Sequence, residues 1–335
     1  MRSPASSTAL PLVTVLVPIC NVAPYLEACL RSLEGQRYTN LEILLLDDGS
    51  TDASPAICQL FTQRDARFRL IQKPNTGYGH TMNVGLSEAK GNYIAILESD
   101  DVATPTFIEA LVQAAETHQL EAVKGHFYFW SPRQQRQHVC NFSMIPTGQV
   151  LQLKPDSNPF FHTPSIWSGV YRRSFLEQHG IRFLETAGAS YQDMAFSFKV
   201  YTLAKRFMLL AEPLVYYRVD SAISSSNGDT RALSKLFCVC DEYAEIFRFA
   251  KAVGVYSQRK DALQRLRFTV FRGNYRRAHP KGKHAFLARW RVEVWPSLLN
   301  GDFTPSTYGW WVYLNLWRLM LTPAWLFAWT YPFKP

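Results

Sequence analysis

Two apolar runs in this chain end in carboxylates, and that ending limits the folds open to it. LEILLLDD (Leu41–Asp48) closes on Asp47 and Asp48, and YIAILESDD (Tyr93–Asp101) closes on Glu98, Asp100 and Asp101. Such runs read as strands buried on both faces, as in mostly parallel sheets. Strands of that kind deliver their last residues to the carboxyl edge of the sheet, where open α/β folds bind ligands. Acids gathered there repel one another unless positive charge sits among them. A divalent cation meets the need and in turn bridges phosphate oxygens. A solvated helix-capping loop is the plainer reading, since an Asp shortly before Thr-Pro is common turn chemistry. Two strands with the same ending favour the ligand-binding edge.

The intervening pattern alternates strand and helix. VTVLVP (Val13–Pro18) is a short β-rich run, followed by Leu26, Cys29, Leu30 and Leu33 at helical spacing. Ser54-Pro55 reads as a cap residue and first-position proline, placing Ile57, Leu60 and Phe61 on one helix face. FRLIQ (Phe68–Gln72) is a third strand, Met82, Leu86 and Ala89 mark a helix, and Thr104-Pro105 repeats the capped start ahead of Ile108, Leu111, Val112 and Ala115. EAVKGHFYFW (Glu121–Trp130) is a further strand. This succession implies a mostly parallel sheet flanked by helices. Beyond residue 130 prolines punctuate loops and short strands. Helix-like RSFLEQHG (Arg173–Gly180) and YQDMAFSFKVYTLA (Tyr191–Ala204) then precede strand-like RFMLLAEPLVYYRV (Arg206–Val219). From residue 230 to 253 Leu233, Leu236, Phe237, Cys240, Tyr243, Ala244 and Phe247 give helical periodicity. There is no internal repeat. The expected division is a flexible lead-in at 1–12, a catalytic domain at 13–228 with halves at 13–130 and 131–228, and a helical extension at 229–335.

At 335 residues and 47% hydrophobic content, disorder is excluded as the main state. The net charge of +9 points to an anionic partner: nucleotide, nucleic acid or acidic membrane. Residues 259–291 hold eleven Lys/Arg and one acid, Asp261, but no nucleic-acid signature, so a solvated helical face is expected and nucleic acid is not. Six scattered cysteines lack metal spacing and read as buried free thiols in a reducing compartment. The N-terminal residues lack the apolar core of a signal peptide and read as a flexible lead-in, so a cytoplasmic chain is the expectation. Residues 308–333 are apolar and rich in tryptophan (Trp310, Trp311, Trp317, Trp325, Trp329) but broken by Asn315, Arg318 and Pro323. The expectation is a segment lying on the inner face of the cytoplasmic membrane; the competing reading packs it on the core.

The run VTVLVPICNVAPYLEACLRSLEGQRYTNLEILLLDDGSTD followed by NTGYGHTMNVGLSEAKGNYIAILESDD resembles the nucleotide-sugar-binding half of a family-2 inverting glycosyltransferase of the GT-A fold, from Val13 to about Ala115. The resemblance implies a metal-dependent, hexosyltransferase-type enzyme that moves a sugar from a nucleotide-diphosphate donor, UDP-linked, to a hydroxyl of a growing surface glycan or lipid-linked acceptor. It implies that Asp48 contacts the uracil ring and that Pro18, Ile19 and Asn21 help hold the nucleoside. The D-x-D element falls on Glu98-Ser99-Asp100, with Asp100 as ligand of Mn²⁺ or Mg²⁺. Glu98, one methylene longer than the family's Asp, reaches the metal, its bound water or the ribose.

In the helix carrying Asn83 the family often has Arg before the Asn, where this chain has Met82; Lys73 and His80 are the alternatives for that phosphate contact. The family's acidic pair beneath the acceptor site reads Gln192-Asp193 here, making Asp193 the general base; the alternative is a helix cap. His162 and Trp167 either line the acceptor pocket or pack in an aromatic cluster. Arg218, in a segment running from Tyr216 to Ser226, is a phosphate contact or part of a surface loop. Two other classes stand beside transfer. A sugar nucleotidyltransferase would need a Gly-rich basic loop where ICNVAPYL stands, and a catalytically silent nucleotide-sugar binder is consistent with Glu98 and Gln192.

Overall fold

The computed structural model describes residues 10–140, 142, 145–153, 164–221, 233–303 and 309–322. Its first half follows the alternation read from the sequence. Strand β1 (Val13–Ile19) leads to helix α1 (Ala23–Glu34), then β2 (Leu41–Asp48), α2 (Ser54–Arg64), β3 (Phe68–Lys73), α3 (Tyr78–Glu88) and β4 (Tyr93–Ile96). The short β5 (Val102–Ala103) precedes α4 (Phe107–Thr117) and the long β6 (Ala122–Ser131). Next come β7 (Arg136–Cys140), β8 (Gly169–Arg172), α5 (Arg173–Gln178), α6 (Gln192–Leu203) and β9 (Phe207–Arg218). Four helices close the described chain: α7 (Leu233–Ala252), α8 (Tyr256–Arg277), α9 (Pro280–Leu299) and α10 (Trp310–Leu321).

One sheet runs in the order β3-β2-β1-β4-β8-β6-β9-β5, with β7 on the side of β6. The pairs β1–β2, β1–β4 and β2–β3 are parallel, as is β6–β9. The sequence pattern did not place β8, which lies antiparallel between β4 and β6. Four residues long, it is too short for its periodicity to be read. Past β4 the sheet is therefore mixed. Register aligns Ile19 with Asp47 and Asp48 with Lys73, so the ends of β1, β2 and β3 share one edge. Strand β4, in register with β1, delivers Leu97 and Glu98 to that edge.

Every residue of β1 and of β4 is buried, as two-faced coverage by helices requires. Helix α3 approaches the loop before α6 so closely that a Cβ on Gly79 would sit 2.1 Å from the Leu184 carbonyl oxygen. Only glycine fits there.

The C-terminal helices extend the same core. Tyr243, Phe271, Phe286 and Trp290 are buried together, with Tyr243 and Phe271 edge to face at 5.5 Å. The basic helices are only partly a solvated face, which corrects that expectation. Arg259 and Arg267 are buried; Arg267 donates to the Glu293 carbonyl (2.9 Å) and lies over the Phe247 ring (4.5 Å). A guanidinium tolerates burial when carbonyls and an aromatic face take the place of water. Cys29, Cys58, Cys238 and Cys240 are buried free thiols, as expected, whereas Cys20 is exposed and Cys140 half-buried. No helix among the described residues is long and apolar enough to cross a membrane.

Candidate active site

The loops after β1 and β2 are stitched together by short polar side chains. Asn21, in the left-handed region at φ 52°, accepts from the Thr51 amide (2.8 Å), and its own amide donates to the Ser50 hydroxyl (3.0 Å). Ser54, expected to cap α2, instead accepts from the Val22 amide (3.1 Å) across the two loops. Pro18 and Ile19 are buried at the end of β1 beneath this mesh. Asp47 accepts from the Ser50 amide and from Gln72.

Asp48 is buried and accepts from the Lys73 ammonium and from the Thr76 (2.8 Å) and Gly77 (3.0 Å) amides. Burial opposes its charge, but these donors outweigh it and hold the carboxyl below the usual range. Lys73, weighed as a phosphate contact, is thus paired with Asp48 and with the Thr76 hydroxyl. Met82 is fully buried. Asn83 exchanges hydrogen bonds with the Phe183 backbone (2.9 and 3.0 Å) and donates to Glu185, which also meets His80 (3.1 Å). These contacts tie α3 to the segment leading into α6.

The acidic turn after β4 divides by burial. Glu98 and Asp100 are half-buried, while Ser99 and Asp101 are buried. Asp101 accepts from the Arg218 amide (2.8 Å) and so anchors the turn to β9. Arg218, weighed as a phosphate contact, lies between the Tyr25 (4.9 Å) and Trp130 (4.4 Å) rings and donates to the Asp100 carbonyl (2.9 Å). It shapes the turn from behind. Glu98 accepts from the Tyr78 hydroxyl (2.7 Å). Burial, with Asp100 and Asp193 nearby, pushes Glu98 up to about 8 despite that bond. Asp100 is also raised by burial, against the pull of Ser221 and Arg218.

These two carboxylates fit a divalent ion. They stand two residues apart in the turn at the sheet edge, both raised first by burial, and are made of hard oxygens. Among the described residues no cluster of three or more His, Cys, Asp or Glu could hold an ion by itself. A small shell completed by water and phosphate oxygens is the form such a pair supports.

Asp193 stands in the first turn of α6, half-buried, just after Tyr191 at φ 66°. A left-handed tyrosine is a strained position that surrounding contacts must hold. Its hydroxyl donates to Asn274 (2.9 Å) and accepts from Arg277 (2.8 Å), both on α8. Gln192 is buried and bonds Thr186, Gly188 and Ser190, fixing the loop before the helix. Burial lifts Asp193 to about 6, against its own amide and the Lys124 ammonium. The position suits a group that accepts a proton near neutral pH.

Two titratable neighbours of Asp193 carry no signal in the sequence motifs. Lys124, fully buried in β6, donates to the Ser165 carbonyl and hydroxyl and to Ser168 (2.8 Å); burial lowers it to about 7. Ser197, one turn below Asp193, donates to the Pro164 carbonyl (3.1 Å), so both elements grip one turn. A lone lysine inside an apolar strand was the available signal. Glu242 of α7, also fully buried, accepts from the Ala195 amide at the start of α6 (2.9 Å), and burial raises it to about 8. Trp167 belongs to a packed cluster, stacked on Tyr217 at 4.9 Å and edge-on to Phe127 at 4.6 Å. His162 and residues 222–226 lie outside the described residues.

The model of Glycosyl transferase family 2 matches residues 14–180, which hold both acidic strand ends. The chain belongs to this family. It is 32% identical over 213 residues to the glycosyltransferase EpsJ of Bacillus subtilis, covering 62% of this chain and 61% of that protein. It is 39% identical over 139 residues to the glycosyltransferase GlyG of Streptococcus pneumoniae, covering 41% and 44%. The chain thus spans about three-fifths or less of these relatives. Among solved structures, Staphylococcus aureus TarS 1–349 in complex with UDP-GlcNAc superposes at a TM-score of 0.68 with 18% identity, over 84% of this chain and 80% of that one. The mannosyltransferase PcManGT of Pyrobaculum calidifontis, in complex with GDP-Man and Mn²⁺, superposes at 0.51 with 17% identity, over 96% and 87%. The family-2 chain has the GT-A fold.

Proposed function

We propose that this family-2 protein is an inverting, hexosyltransferase-type glycosyltransferase that uses a nucleotide-diphosphate sugar, UDP-linked, and a divalent cation. The carrying observation is the placement of two groups of opposite duty around one sheet edge: the half-buried pair Glu98 and Asp100, and Asp193 at the mouth of α6. Glu98 and Asp100 would hold Mn²⁺ or Mg²⁺, whose charge would offset that of the diphosphate leaving group. Pro18, Ile19, Asn21 and Asp48, with Ser99 and Asn83, border the donor side. Asp193 takes the proton from the acceptor hydroxyl as its oxygen bonds to the anomeric carbon, and that carbon's bond to the diphosphate breaks on the opposite face, releasing nucleoside diphosphate. The donor complexes named for the two structural neighbours support a nucleotide sugar as the ligand class. The acceptor in this reading is a hydroxyl of a growing surface glycan or lipid-linked chain, met at the inner face of the cytoplasmic membrane.

The deciding experiment measures nucleoside diphosphate release from a panel of UDP- and GDP-sugars, with and without Mn²⁺ or Mg²⁺. Release that needs the ion, with metal-dependent donor binding lost in Asp100→Asn, is expected. Unchanged metal-dependent affinity in that variant would remove Asp100 from the role. Donor binding with no release alongside a competent acceptor would favour the silent binder.

A further inference from the structure

The C-terminal helices leave an apolar surface uncovered. Val292, Trp295, Leu299, Trp310, Leu314 and Leu321 are six of the twelve large apolar side chains that stand exposed among the described residues, all in α9 and α10. The other six are dispersed from Leu10 to Val253. Single exposed apolar residues need no explanation; a concentration of this kind does. Helical spacing puts Val292, Trp295 and Leu299 on one face of α9, and Trp310, Leu314 and Leu321 on one face of α10. The opposite faces are buried, with Trp290, Val294 and Leu298 on α9 and Leu316 and Leu319 on α10. Arg291 joins the helices by donating to the Leu319 (2.8 Å) and Thr322 carbonyls, which brings Leu321 to the part of α9 that carries Val292.

Charge identifies the occupant. The outward face of α9 begins with exposed Lys281 and His284 before it becomes apolar, and exposed Arg276 and Arg277 end α8 just ahead of it. A second copy of the chain, itself at net +9, would bring like charges together. An anionic lipid surface complements both halves of the face: tryptophan and leucine enter the headgroup boundary, and the cations meet lipid phosphate. We infer that the outward faces of α9 and α10 form a docking surface for an anionic bilayer. Its basic end adjoins the acceptor side, because Arg277 bonds Tyr191 two residues before Asp193. This deepens the membrane-side reading of the acceptor. It also moves the contact from the terminal segment alone to a face shared with α9.

The test is co-sedimentation of the full chain with phosphatidylglycerol/phosphatidylcholine vesicles and with phosphatidylcholine alone, alongside light scattering. Binding to the anionic vesicles only, weakened about ten-fold or more in Trp295→Ser/Leu299→Ser, is expected. Lys281→Glu should weaken binding and its salt dependence, while Val253→Ser, exposed elsewhere, should leave it unchanged. Both altered sites are exposed, and an unchanged circular dichroism spectrum and Tm confirm the fold. No vesicle binding by the full chain overturns the inference. So does a dimer that Trp295→Ser/Leu299→Ser dissociates, since the face would then hold a second copy. Donor-dependent nucleotide release is a separate readout, so failure here leaves the transfer reading untouched.

Discussion

Asp193 is the residue on which turnover should depend most directly. Asp193→Asn keeps its shape and hydrogen-bonding capacity but removes basicity, so donor affinity should survive while transfer falls about 100-fold or more. Transfer at near the parent rate would return Asp193 to the role of helix cap. A base raised to about 6 must lose its proton to act, so transfer should rise with pH through that value. Lys124 helps set the midpoint, because its ammonium favours the Asp193 carboxylate against the burial that raises it. Lys124→Met should therefore move the acid limb of the rate profile to higher pH; a limb that stays put would confine Lys124 to gripping the Ser165–Ser168 turn. At this scale the sequence made the acids legible through position alone, at the ends of apolar runs. It could not reveal that Asp48, Asn83 and Arg218 hold loops, because their partners lie 28, 100 and 118 residues away.

Between elements, the junction of α6 and α7 carries a pH dependence of its own. Glu242 keeps its proton up to about 8 in the folded chain, whereas an unfolded glutamate loses it near 4.5. The folded state therefore binds more protons between those values. This contribution to stability is full below about 4.5 and is lost as pH rises toward 8. Glu242→Gln should flatten the dependence and preserve the bond to the Ala195 amide. Glu242→Ala should leave that buried amide unpaired and cost about 1–3 kcal/mol. Urea unfolding at pH 5 and pH 8 separates these outcomes; equal slopes with pH in parent and Gln variant would remove Glu242 as the cause. The elements of the first half were legible because β1, β2 and β4 are almost wholly buried and α1 and α4 each show one apolar stripe, although β3 is only half-buried and Leu60 of α2 faces solvent. The short β8 escaped because only its neighbours β4 and β6, far apart in sequence, define it.

Taken whole, the molecule is not a catalytic domain with a loose tail. Helix α10 buries Leu316 and Leu319 and receives two hydrogen bonds from Arg291, while Phe303 and Asp302 already close on the helices before it. The packed reading of the C-terminal segment describes one face of α10, and its other face stands exposed; residues 323–335 lie outside the described residues. Truncation after Phe303 should lower Tm by a few degrees while donor binding persists. Loss of donor binding along with cooperative unfolding would make α10 integral to the catalytic sheet. The insertion of β8 between β4 and β6 reaches further, into synthesis. A chain leaving the ribosome completes β4 and β6 long before residues 169–172 arrive to join them. Until then two apolar strands present bare hydrogen-bonding edges to whatever is nearby. The nascent chain, rather than the finished protein, is where this topology is most open to edge-to-edge aggregation and most dependent on chaperones.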